Sequence, residues 1–285
     1  MKNQAYLLES IHDTLLTILY TACVADAVPV SGILVADSGT AKSKLVKQFH
    51  GEEIHHTDSF TSKGLFDLMT QDHDNKIKWI LTADINPTLS RRQATVTATV
   101  ANLLTLTMDG TCRTDDGRTD KVSKHSPIGF LTAVTPEMFV KQTKKWFMLG
   151  LSRRIIPLYY MYSQGTIEKL KSIVREDKIS GADFPACYLK LENKHSPVIT
   201  EVMALHIESM STVFSQNLGL QRMKDDDGHV KWFVKNVIPI SPIVTLRTLA
   251  KANAIRASRG SVEQQDIDFL ARFLEFTNQA NPKQI

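Results

Sequence analysis

The sequence predicts an α/β fold: a mostly parallel sheet up to about residue 163, followed by a mostly helical region. Three observations carry this. Short apolar runs alternate with helix-period segments up to Ser163. A tight polar loop joins the first such run to the segment after it. Beyond Ser163 the alternation ends and helical periodicity dominates.

From Tyr6 to Cys23 the residues Leu7, Leu8, Ile11, Leu15, Leu16, Ile18 and Leu19 recur at helical spacing, and the pattern stops before Pro29. Gly32-Ile33-Leu34-Val35 is too short for a helix and is closed by Asp37-Ser38-Gly39, after which Lys42 to His50 suits a helix. A second strand is expected over Glu53 to His56, a helix over Lys63 to Met69, and a third strand over Lys78 to Thr82, bounded by Asn86-Pro87. Gln93 to Thr107 reads as a helix, and Asp109 to His125, with the turn signal Asp116-Gly117, as a hairpin or long loop. Ile128 to Val134 and Ile155 to Tyr162 are further strands. Between them lie Lys141, Lys144, Lys145 and Trp146, readable as a phosphate-tracking or subunit-contact patch or as a charged helix face. Ser241-Pro242 suggests an N-cap followed by proline at the first helical position, and Ser261 with Gln264 suggests a capping box opening the last helix. The division expected is 1–163 and 164–285, with 164–235 unassigned and 236–285 helical.

Composition excludes several classes. With 34 Lys+Arg against 30 Asp+Glu the 285-residue chain is only mildly basic, and 42% hydrophobic residues with 13 Gly and 10 Pro exclude disordered and collagen-like chains. Cys23, Cys112 and Cys187 are odd in number and show no C-x-x-C pairing, which fits a reducing, cytoplasmic setting. No apolar run reaches the ~18 residues of a membrane span, and the first twenty residues do not read as a signal peptide.

The octet Ala36-Asp37-Ser38-Gly39-Thr40-Ala41-Lys42-Ser43 lies between a predicted strand and a predicted helix. A phosphate site needs this arrangement: loop N–H groups turned inward, an ammonium reaching the outer phosphates, and a hydroxyl for magnesium. It departs from G-x-x-x-x-G-K-[ST] at both glycines, now Ala36 and Ala41. A positive φ at Ala36 would strain the loop.

The octet resembles the Walker A loop of minichromosome-maintenance (MCM) helicases within the AAA+ ATPases, typically G-D-P-G-x-A-K-S, with only Ala36 and Ser38 departing. The resemblance implies a three-layer α/β/α P-loop domain with a helical lid, and it continues in order. Ile77 to Asp84 resembles a Walker B strand, with Asp84 holding magnesium through water, but Ile85 stands where the family has the glutamate that polarises water. Phe130 to Pro136 resembles the sensor-1 strand, with Thr135 at its polar tip. Leu151-Ser152-Arg153-Arg154 resembles the S-R-F segment whose arginine enters the neighbouring site, giving Arg153 that role. Thr245 to Ala254 resembles the lid helix, with Arg247 as sensor 2.

The resemblance covers roughly residues 28–160 and 240–278. It implies ATP and Mg2+ as ligands, self-association into a hexameric ring, and action on DNA as a small phage or mobile-element type of helicase or replication motor. The hairpin before sensor 1 would offer Arg118, Lys121 and Lys124 to phosphates, although Asp115, Asp116 and Asp120 balance its charge. Asp58 or Glu137 are open substitutes for the missing glutamate. A non-hydrolysing, nucleotide-gated assembly factor is the alternative that Ala36 and Ile85 favour; small-molecule phosphoryl transfer is disfavoured by the sensor and lid pattern. Asp225-Asp226-Asp227-Gly228 reads as a turn, and His55-His56 point to opposite faces of a strand and chelate nothing.

Overall fold

Ser31–Val35 (β1) is buried at every position, the pattern of a parallel strand covered on both faces. The computed structural model describes residues 8–25, 27–115, 120–148, 154–175, 185–191, 194–225, 227–238 and 240–285. The elements run α1 (Glu9–Tyr20), β1, α2 (Lys42–Lys47), β2 (Phe49–His50), β3 (Ile54–His56), α3 (Ser62–Gln71), β4 (Trp79–Thr82), α4 (Asn86–Leu89), α5 (Gln93–Asp109), β5 (Thr111–Asp115), β6 (Asp120–Lys124), β7 (Gly129–Val134), α6 (Pro136–Met148) and β8 (Ile155–Met161). Then follow α7 (Gln164–Arg175), β9 (Cys187–Tyr188), α8 (Glu201–Gly219), β10 (Leu220–Lys224), β11 (Val230–Val234), α9 (Ile240–Arg256), α10 (Gln264–Phe276) and β12 (Lys283–Gln284).

Six strands form one parallel sheet in the order β12-β8-β1-β7-β4-β3. β5 and β6 form the antiparallel hairpin expected between Asp109 and His125. One face of the sheet packs Leu34, Leu131, Ala133 and Leu158 against α1, α2, α8, α9 and α10; the other packs Ile33, Ile80, Phe130 and Val134 against α3, α5 and α6. The layers meet tightly at Trp79, whose ring lies where a Cβ on Gly129 would approach to 2.4 Å. Only glycine fits there, and the Trp79 indole N–H donates to the Leu19 carbonyl at 3.0 Å, fastening α1 to the sheet. Among the described residues no helix is long and apolar enough to cross a membrane.

Several expectations are adjusted by packing. α2 ends at Lys47 and not at His50, because buried Phe49 leaves the helix to pair with Cys187 across β2 and β9. α9 already begins at Ile240, which puts Ser241 and Pro242 inside its first turn. The capping box of α10 lies at Glu263 and Asp266, two residues after Ser261. Asp266 is fully buried, accepting from both Arg259 nitrogens at 2.7 Å and from Asn253 at 2.7 Å, and that network fixes where the helix starts. The boundary expected at residue 163 does not separate two cores, since α8, α9 and α10 share one core with the sheet and β12 returns to its β8 edge. Periodicity identifies helices without saying what they pack against. Trp146 is core, edge-on to Phe139, so it is not part of a surface patch with the exposed Lys141 and Lys144.

Candidate functional site

Parallel register brings the candidate residues together. Val35 pairs with Val134 and Thr82 with Thr132, so β1, β7 and β4 end side by side. The Ala36 N–H donates to the Val134 carbonyl (3.4 Å) and the Ile85 N–H to the Ala133 carbonyl (3.2 Å), stitching the three following loops together. Loops at the carboxyl ends of a parallel sheet form the crevice where such folds bind ligands.

The first of these loops is the octet. Ala36 is buried and has no positive φ; the left-handed residues are Gly39 (φ 83°) and Ala41 (φ 58°). The strain foreseen at Ala36 therefore falls on Ala41, whose methyl group sits in a conformation that favours glycine. Thr40 closes the turn, its hydroxyl donating to the Asp37 carbonyl at 2.7 Å, and the hydroxyls of Tyr160 and Tyr162 on the β8 side donate to the Thr40 carbonyl at 3.0 and 3.4 Å. The Lys42 ammonium curls back to the Asp37 carbonyl at 3.0 Å. Burial pushes the Lys42 pKa down, opposed by the carboxylates of Asp84 and then Asp37. Among the described residues the N–H groups of Gly39, Ala41, Lys42 and Ser43 find no acceptor. Four unclaimed donors in the loop that carries this ammonium can serve as an anion cradle. With only six residues in α2, this cradle rather than a helix dipole is the main attraction.

Across the strand ends, half-buried Asp84 accepts from the Asn86 N–H (2.9 Å) and side-chain amide (3.3 Å), which aims its carboxylate. The Asn86 Oδ1 is buried with no partner, an acceptor left for a donor such as a metal-bound water. Thr135 follows β7 directly and is half-buried beside these loops; Ser43 is half-buried in the first turn of α2. Ser43 and Asp84 offer the oxygen donors that Mg2+ prefers. Ile85, by contrast, is 3% exposed and faces the apolar core beneath the sheet. Other acids at this edge are Asp58, exposed and 3.7 Å from the Lys47 ammonium, and Glu137, exposed at the start of α6.

The remaining candidates lie elsewhere. Arg247 is exposed on α9 and shares a cleft of about 860 Å3 with Arg154 and Lys251. Val30 and Arg154, in the same cleft, immediately precede β1 and β8, so it opens at the amino ends of the strands, opposite Lys42. Arg153 and Arg118 fall outside the described residues. Lys124 is exposed on β6, and the backbone of Lys121 pairs with Thr114. Sequence reasoning missed the β10–β11 hairpin. Its signal was present, Asp227-Gly228 between two alternating segments.

No family model matches the chain, and no curated protein matches its sequence.

Proposed function

We propose that this chain is a P-loop ATPase of the AAA+, MCM-like type, which binds ATP and Mg2+ between subunits and acts on DNA. The observation that carries the reading is the cradle of four unclaimed N–H groups around Lys42, facing Asp84 across aligned strand ends.

A triphosphate with Mg2+ fits these residues. Its oxygens would take the N–H groups of Gly39, Ala41, Lys42 and Ser43, and the Lys42 ammonium would leave the Asp37 carbonyl for the outer phosphates. Mg2+ supplies neutralisation of the charge on the transferring phosphoryl group; the Ser43 hydroxyl and the Asp84 carboxylate would hold it. The Thr135 hydroxyl would orient the attacking water. Arg247 and Arg154 stand at the opposite edge of the same chain, so they would reach this nucleotide only from a neighbouring copy; by resemblance, Arg153 would enter from that copy too. That arrangement favours a ring, hexameric by resemblance.

A second reading rests on Ile85. A buried aliphatic side chain where an acid would polarise water favours a nucleotide-gated assembly factor that does not hydrolyse ATP. Equilibrium ATP binding tests what both readings share. Lys42→Ala is expected to weaken affinity roughly tenfold or more, the loss of a charge-assisted contact, and Asp84→Asn to remove its dependence on Mg2+. Equal affinity in wild type and both variants would overturn the site.

A further inference from the structure

We infer that the outer face of the β10–β11 hairpin is a binding surface for single-stranded nucleic acid, with Trp232 as stacking platform and Arg222 and Lys224 as phosphate contacts. All five residues of β11 are exposed, Trp232 at 46%. A strand of this composition is normally half covered, and the uncovered Trp232, flanked on its own face by exposed Val230 and Val234, marks a contact surface.

The pairing register sorts the side chains. Arg222 is opposite Trp232 and Lys224 opposite Val230, so these share one face; Gln221 and Met223 share the other. On the β10 side that second face is the root, while Lys231 and Phe233 opposite it stay exposed. Gln221 and Met223 are buried, the Gln221 side chain donates to the Leu218 carbonyl (3.1 Å) and accepts from the Tyr159 hydroxyl (3.3 Å), and β10 packs on α6. The Gln279 side chain accepts from the Arg222 N–H at 2.7 Å, holding the hairpin from a second side. The platform is therefore anchored through β10, to which the whole of β11 is paired.

Charge selects the partner. Both exposed positions of β10 on the outer face are cations, and neither Arg222 nor Lys224 has an acidic partner among the described residues. They stand about 7 Å apart along the strand, two residues of rise. The described acids of the hairpin lie at its turn, where the Asp225 carboxylate is taken by Lys231 at 2.6 Å and only Asp227 faces solvent. A row of two unneutralised cations beside an exposed indole attracts an anionic backbone carrying stackable rings, whereas an apolar protein partner would bury both cations uncompensated. This surface requires no nucleotide at Lys42.

The chain has three tryptophans, and Trp79 (0%) and Trp146 (4%) are buried, so static quenching of intrinsic fluorescence on titration with a thymidine oligonucleotide reports Trp232. Saturable quenching of the wild-type chain by the oligonucleotide is expected. Trp232→Ala should weaken binding, read by anisotropy of a labelled oligonucleotide, roughly tenfold or more, with Trp232→Phe restoring much of it. Arg222→Gln with Lys224→Gln should reduce the salt slope by about 1.4, and binding should be the same with and without ATP and Mg2+, which separates this surface from the nucleotide site. Wild-type affinity in Trp232→Ala and in the double variant would overturn the inference. So would Trp232→Ala dissociating an oligomer, seen in sedimentation, at unchanged oligonucleotide affinity, because the face would then be a protein interface.

Discussion

Ala41 holds a left-handed conformation immediately before the lysine on which the site depends. Left-handed backbone costs a residue with a Cβ about 1 kcal/mol, so Ala41→Gly is expected to stabilise the loop by about that amount and to tighten ATP binding several-fold, measured by urea unfolding and calorimetric titration. Ile85 makes the complementary case. Placing the family's glutamate there would put a carboxylate into an apolar core, so Ile85→Glu is expected to destabilise the protein by roughly 2–5 kcal/mol and to yield no gain in phosphate release. Urea unfolding of that variant checks the first part and an ATPase assay the second. The octet was legible in the sequence because its residues are contiguous. Which alanine bears the positive φ was not, since that depends on how Val35 and Val134 pair and on where the Tyr160 hydroxyl holds Thr40.

At the scale of elements, α10 depends on one buried ion pair. Asp266 is both the reciprocal cap of Glu263 and the partner of Arg259. Asp266→Ala would strip both short hydrogen bonds from a largely buried guanidinium, leaving it the Glu263 carboxylate at 3.6 Å, and is expected to cost about 3 kcal/mol, read from the urea midpoint at constant slope. α1 carries a pH-sensitive contact. Burial lowers the His12 pKa, but Asp13 and Cys187 raise it more, to about 9 from the usual 6.5. A raised pKa means the folded state binds the proton more tightly; the contribution is complete below about pH 6.5 and is lost as pH rises through about 9. Thermal melts from pH 6 to 10 should fall over that interval in wild type and much less in His12→Gln. Elements with clear apolar patterning, such as α1 with its helical spacing and β7 with its continuous buried run, were legible from sequence, whereas the capping box was displaced because only the fold brings Arg259 and Asn253 to Asp266.

For the whole molecule, the cradle at Lys42 and the cluster of Arg154, Arg247 and Lys251 occupy opposite ends of one parallel sheet. If neighbouring copies combine them, Arg154→Ala with Arg247→Ala should abolish phosphate release while leaving ATP binding intact, and mixing that protein with Lys42→Ala should recover part of the turnover, because mixed rings contain wild-type interfaces. The strand–helix alternation made the parallel sheet legible. The placement of α8, α9 and α10 on that sheet was not, because an amphipathic helix does not specify its partner face. The central claim is tested most directly by steady-state phosphate release from ATP and Mg2+, with and without single- and double-stranded DNA, in wild type and Lys42→Ala. Turnover raised by DNA and lost in the variant is the predicted result; no turnover above the variant under any of these conditions would contradict a DNA-linked motor.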